Sequence, residues 1–176
     1  MSVLGVVLAG GRSSRFGSDK ALAMFKGRTL IEHALAALSP HVAALALAGK
    51  VMPGVIAIQD VPEPGLGPMG GLAGALGYAE AHGYAQVLSC GVDCLTFPAA
   101  ALAVPPCYLE AQPVIGCWPS SAAGAAARYA AEDPRRSMRG FAQAIGATPV
   151  RVAIPPSNIN TPEDLAGLTI ANRTAP

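Results

Sequence analysis

The run Val3–Leu8, Val-Leu-Gly-Val-Val-Leu, is rich in branched apolar residues and shows no polar alternation. A strand of that kind is stable only where both faces are covered. Apolar β-rich runs then alternate with alanine-rich helical stretches, the pattern of a mostly parallel sheet with helices on both faces. The spacing predicts strands over Val42–Leu47, Val55–Ile58 and Gln86–Cys90. Thr29 can cap a helix ending near Leu38, before Pro40. A Pro/Gly-rich loop, Val61–Met69, leads to a helix over Gly71–Ala81. Further on, short strands are expected around Cys107–Glu110 and Val114–Trp118, helices over Ala122–Ala131 and Ser137–Ile145, and a last strand over Val150–Ile154. A final helix should start at Pro162, with Thr161 as its N-cap and Glu163 and Asp164 in the first turn. The 176 residues show no repeat or linker, which implies a single domain.

Composition narrows the functional classes. Only 13% of residues are charged and 52% are apolar. Alanine explains much of that apolarity, and the apolar runs are short. Val42–Ala48, for example, is bounded by Pro40 and His41 on one side and by Gly49 and Lys50 on the other. None approaches the ~18 residues of a membrane-spanning helix. A net charge of +1 lacks the basic excess of a nucleic-acid binder. The amino-terminal run has no charged leader and reads as the first strand rather than a signal peptide. Cys90, Cys94, Cys107 and Cys117 form no CxxC pair and lie in apolar surroundings, as free buried thiols of a reducing cytoplasm would.

After the first strand comes Leu8-Ala9-Gly10-Gly11-Arg12-Ser13-Ser14-Arg15-Phe16-Gly17-Ser18-Asp19-Lys20. It matches neither a Walker A loop nor the GxGxxG dinucleotide fingerprint. Its residue types nevertheless suit a triphosphate. Gly10 and Gly11 allow backbone N–H groups to approach phosphate oxygens, Arg12 and Arg15 can fork onto them, and Lys20 brings a compact charge. A solvated turn with three cations is the other reading.

Asp93 lies just beyond the strand Gln86–Cys90, where ligands of open α/β sheets collect. A single carboxylate there suits Mg²⁺ sharing its shell with phosphates and water; a cap for a short helix near Pro98–Ala101 is the alternative. The segment Gly65-Leu66-Gly67-Pro68-Met69-Gly70-Gly71 would let backbone lie against a flat ring, or would permit close helix–strand packing. Asn158 and Asn160 would point the same way in an extended stretch and offer amides to a substrate. Arg135, Arg136 and Arg139 are either a surface patch or the partners of a phosphate-bearing substrate. His33, His41 and His82 have no ligand spacing, and no nucleophilic triad stands out.

The loop from Leu8 to Leu22 closely resembles the signature of the molybdenum cofactor guanylyltransferases, within the wider group of Rossmann-like nucleotidyltransferases. The likeness runs through residues 8–22, 86–98 and 158–165, where Asn-Ile-Asn-Thr-Pro-Glu-Asp-Leu matches the family pattern. It is weak between 99 and 150. The resemblance implies a three-layer α/β/α fold of one domain, with residues 1–98 serving the nucleotide and 99–176 the acceptor. It gives Arg15, Lys20 and Asp93 catalytic roles, with Asp93 on Mg²⁺. It gives nucleotide or substrate contacts to Leu8, Ala9, Gly10, Gly11, Arg12, Asp60, Gly67, Pro68, Gly71, Asn158 and Asn160. For Asp60, a water-exposed loop carboxylate is an equal reading.

Two departures stand out. Leu95 replaces a common proline, and only Leu47, Ala48 and Gly49 stand where guanylyl members often have an asparagine. The implied reaction moves GMP from GTP to the terminal phosphate of molybdenum-bound molybdopterin and releases pyrophosphate. A cytidylyltransferase on the same pterin, a sugar-phosphate nucleotidyltransferase and a non-catalytic nucleotide-binding module are the alternatives. Expected partners are small molecules, with transient contact to cofactor-biosynthesis proteins or apo-molybdoenzymes, for a cytoplasmic monomer or weak oligomer that binds neither nucleic acid nor membrane.

Overall fold

A computed structural model describes residues 2–10 and 19–171 of the chain. Its elements are β1 (Val3–Leu8), the hairpin β2 (Met24–Phe25) and β3 (Arg28–Thr29), α1 (Leu30–Leu38), β4 (Ala44–Ala48), β5 (Ile56–Ile58), α2 (Gly67–Ala81), β6 (Gln86–Gly91), β7 (Cys107–Leu109), β8 (Gly116–Pro119), α3 (Ala123–Glu132), α4 (Met138–Ala144), β9 (Thr148–Val150) and α5 (Pro162–Ala171). Seven strands make one sheet in the order β5-β4-β1-β6-β8-β7-β9. Pairing is parallel from β5 through β6, antiparallel on both sides of β8, and parallel again between β7 and β9.

The two-fold period of β1 explains the layers. Leu4, Val6 and Leu8 face a core shared with α2, α3 and α4, while Val7 faces a second core with α1, Phe97 and Leu102. Burial of both faces accounts for the unalternated apolar run, and the fold is three-layer α/β/α. Cys90, Cys94, Cys107 and Cys117 are free and buried, all in the α1-side core. Among the described residues no helix is long and apolar enough to cross a membrane.

Several boundaries move. Helix α2 begins at Gly67, four residues before the expected start, because Pro68 falls in its first turn, where a missing N–H costs nothing. The last strand is Thr148–Val150 rather than Val150–Ile154. It is an edge strand, where Pro149 is tolerated. Strand β8 starts at Gly116 instead of Val114, since the Ile115 N–H donates to the Gln112 carbonyl in a turn. Paired β4 begins at Ala44, opposite Leu4, so Val42 and Ala43 precede the ladder.

Ser89 is the one fully buried polar side chain among the described residues. Its hydroxyl donates to the Val114 carbonyl at 2.7 Å and accepts from Trp118 Nε1 at 2.8 Å. It therefore ties β6 to β8 and to the turn ahead of it. Ser89→Ala leaves the indole N–H and that carbonyl without this partner in the core. The expected loss of unfolding free energy is about 1–3 kcal/mol, read from urea denaturation.

Candidate active site at the ends of β1 and β6

The chain runs outward from β1 to β4 and β5, then returns through α2 to β6 on the other side of β1. That reversal makes the carboxyl ends of β1 and β6 a topological switch point, where ligands of open α/β sheets bind. Leu8 stands opposite Gly91 in the parallel register. The glycine-rich loop leaves from one end and Asp93 follows the other by two residues. Asp93 sits in a turn closed by the Cys94 N–H on the Gly91 carbonyl. Its carboxylate folds back over Gly91, where a Cβ would come within 2.8 Å of Asp93 Oδ1.

Lys20 reaches this point from the far end of the loop. Its Nζ lies 3.0 Å from Asp93 Oδ2, with both side chains largely buried. A short 3₁₀ turn, Lys20–Leu22, fixes its base, and Asp19 caps that turn by accepting from the Ala21 N–H at 3.2 Å. Asp93 does not cap the turn at Ala99–Leu102, whose N-cap is Pro98 with no side-chain bond. Gly11, Arg12 and Arg15 lie outside the described residues.

The carboxy-terminal signature converges on the same place through a small core. Ile159 is buried with Phe25 and Leu30, and Leu95 and Leu165 pack against them. Leu95 thus has a packing role at the position where proline was expected. With Ile159 inward, Asn158 and Asn160 point outward together, and Asn160 Nδ2 donates to Asn158 Oδ1 at 3.1 Å. Thr161 caps α5 as expected, accepting from the Asp164 N–H at 3.2 Å. Asp164 Oδ2 accepts in return from the N–H groups of Asn160 and Thr161. These bonds, with Lys20 adding a weaker attraction, hold the Asp164 carboxyl below the usual aspartate range.

Two cavities open at this edge of the sheet, one beside Gly10 after β1 and one lined by Asp93 itself. The first, about 500 Å³, is lined by Gly10, Gly49, Lys50, Val51, Ala57, Ile58, Gln59, Asp60, Pro64 and Gly65. Asp60 Oδ2 accepts from the N–H groups of Gly65 and Leu66, closing the loop ahead of α2. Gly67 and Pro68 open that helix. Gly71 packs on the sheet, with room for no side chain: a Cβ there would lie 2.8 Å from that of Ala48. Gly71 and Gly74, the latter against Ile58 and the Gln59 carbonyl, therefore serve close helix–strand packing. Gly49, at φ +83°, comes so near Gly10 that a Cβ would clash with its backbone at 2.5 Å. Lys50 ion-pairs with Asp19, joining the end of β4 to the end of the glycine-rich loop. Sequence reasoning missed Lys50; its place directly after a central strand was the available signal.

The second cavity, about 380 Å³, is lined by Asp93 together with Ala111–Val114, Ser137–Arg139 and Asn158. Arg136 is turned away from it, with Nε donating to the Ala130 carbonyl. Gln112 and Ser137 also went unnoticed in the sequence, because neither belongs to a motif. Among the described residues no group of three His, Cys, Asp or Glu side chains is placed to hold a metal unaided.

The MobA-like NTP transferase domain family matches residues 5–104. A molybdenum cofactor guanylyltransferase of Rhizobium leguminosarum bv. trifolii is 35% identical, over 93% of this chain and 90% of that protein. One from Acidiphilium cryptum is 34% identical, over 91% and 90% respectively. In fold, the chain is similar to molybdopterin-guanine dinucleotide biosynthesis protein A of Archaeoglobus fulgidus, with a TM-score of 0.75 at 19% identity, covering 99% of this chain and 100% of that one.

The lowered pKa of Asp164 sets a sign. Its carboxylate supports the turn at Asn160 and Thr161 fully above the ordinary aspartate range, and that support is lost as pH falls through the depressed value. The amide NMR shifts of Asn160 and Thr161 should therefore titrate with a midpoint below that of an ordinary aspartate. Asp164→Asn should abolish the titration; a midpoint at or above the ordinary value contradicts the assignment.

Proposed function

Because the chain belongs to the MobA-like NTP transferase family, we propose that it is a molybdenum cofactor guanylyltransferase, moving GMP from GTP to the terminal phosphate of molybdenum-bound molybdopterin. An oxygen of the acceptor phosphate attacks the α-phosphorus of GTP. The new P–O bond forms as the α–β bridging bond breaks, and that electron pair leaves on pyrophosphate. The acceptor oxygen is already anionic near neutral pH, so no general base is required, and the work is alignment with charge neutralisation. The observation that carries this reading is the 3.0 Å contact between Lys20 and Asp93, residues 73 apart in sequence, at the switch point of the sheet.

The donor set at Asp93 fits a divalent ion such as Mg²⁺: one carboxylate lining an open cavity beside Gln112, Ser137 and Asn158, with triphosphate oxygens and water left to fill the shell. Asp93 would hold that ion, which supplies charge neutralisation on the phosphoryl oxygens. Lys20, released from Asp93 by the incoming tail, binds the oxygens of the departing pyrophosphate. Arg12 and Arg15 join it, and Leu8, Ala9, Gly10 and Gly11 present backbone to the nucleotide. The cavity around Gly10, Lys50 and Asp60 takes the base and ribose, with Gly67, Pro68 and Gly71 shaping the helix end behind it. Asn158 and Asn160 face the acceptor. Residues 1–98 thus serve mainly the nucleotide and 99–176 mainly the acceptor.

Lys20→Ala should lower kcat by about 100-fold or more in a pyrophosphate-release assay, because a charge aimed at the transition state is removed. Its circular dichroism should match the parent, since Asp93 then faces a cavity that water can enter. Near-parental turnover removes Lys20 from the mechanism. Asp93→Ala should erase the Mg²⁺ dependence of GTP binding in calorimetric titrations; unchanged magnesium curves count against Asp93 as the ligand. With Mg²⁺ present, GTP should raise the melting temperature of the parent protein more than CTP does, and the reverse order favours the cytidylyl alternative.

A further inference from the structure

We propose that Arg139 binds the terminal phosphate of the acceptor, in the 380 Å³ cavity that Asp93 lines; this rests on the guanylyl-transfer reading above. In-line displacement sets the attacking and leaving oxygens on opposite sides of the α-phosphorus. Lys20 and the glycine-rich loop belong to the leaving side. The attacking side then corresponds to the 380 Å³ cavity, within the size range of small-ligand sites. An anionic phosphate drawn toward an already anionic triphosphate needs a cation of its own there. Among the described residues lining that cavity, Arg139 is the cationic one.

The neighbouring arginines are excluded by geometry. Arg136 has a positive φ of 45° and spends its Nε on the Ala130 carbonyl, and neither it nor Arg135 lines the cavity. Arg139 gives one Nη2 hydrogen to the Glu110 carbonyl, which anchors the head of the side chain while leaving further guanidinium donors for an anion. The Glu110 carboxylate is held in a two-point pair with Arg151 and exerts only a weaker, longer-range attraction on Arg139. Around the phosphate, Gln112 is fixed by its Nε2 on the Pro156 carbonyl, Ser137 caps α4 through the Gly140 N–H, and Asn158 supplies an exposed amide.

The test uses the full-length protein with Mg²⁺, GTP and purified molybdopterin, following pyrophosphate release. Arg139→Gln keeps a donor for the Glu110 carbonyl but lacks the charge. It should raise KM for molybdopterin about 10- to 100-fold, leaving KM for GTP and kcat at saturating acceptor near parental values. Arg139→Lys should recover part of the loss. Direct titration of molybdopterin fluorescence without nucleotide should show the same weakening in Arg139→Gln. A merely structural arginine predicts a normal acceptor KM for the glutamine variant, and that result overturns the proposal. So does a rise in KM for GTP of equal size. Absence of pyrophosphate release from the parent protein would instead overturn the guanylyl-transfer reading beneath it.

Discussion

The parallel register of β1 and β6, with Leu8 opposite Gly91, is the constraint on which the site depends. It sets the start of the glycine-rich loop and the turn bearing Asp93 on the same edge of the sheet, at adjacent strands. A shift of the ladder would carry one end past the other at about 3.3 Å per residue, and a shift by a single residue would also turn each side chain to the opposite face. The two-sided core forbids that slip: Leu4, Val6 and Leu8 are committed to the α2 side, and Val7 to the α1 side. Packing of the interior thus determines where charge appears at the rim.

The third sequence anchor is held by a different force. Ile159 and Leu165 belong to a small apolar cluster with Phe25, Leu30 and Leu95, built at the foot of the Lys20 turn and the Asp93 loop. Burial there contributes to stability in proportion to area, and it also stitches three distant segments together. The hairpin Met24–Thr29, with Lys26 and Gly27 at positive φ, carries Phe25 into this cluster. Gly27 suits that turn because it lacks a Cβ; Lys26 adopts the same region at some cost in strain.

The legible parts of the sequence were those in which local chemistry and tertiary fate agree. The unalternated Val3–Leu8, the Thr29 cap before Leu30 and the Thr161-Pro162-Glu163-Asp164 helix start each state their structure within a few residues. Strand order and the antiparallel insertion of β8 are long-range choices that no short window contains. The two-residue strands β2 and β3 are too short to show a period. Among site residues, Lys20 and Asp93 could be read from motifs and strand ends. Lys50, just past the end of β4, carried the same kind of signal, whereas Gln112 carried none, since it acquires its neighbourhood only when separate loops meet. Gly71 shows the opposite case, a residue in a motif whose visible contacts are helix–sheet packing.

The charge arrangement at the rim follows from the cost of leaving an ion alone. Lys20 and Asp93 are each about one-seventh exposed, so each gives up part of its hydration, and the partner's charge offsets that loss. At 3.0 Å their attraction is on the order of 5 kcal/mol for an intermediate dielectric, before desolvation offsets most of it. A net contribution near zero is what an exchangeable pair requires, because a tighter one would oppose any ligand that separates the partners. A phosphate tail bringing its own divalent cation offers each residue a replacement of the same sign as the partner it gives up. The pair therefore keeps both side chains oriented toward the site and yields without leaving a buried charge uncompensated.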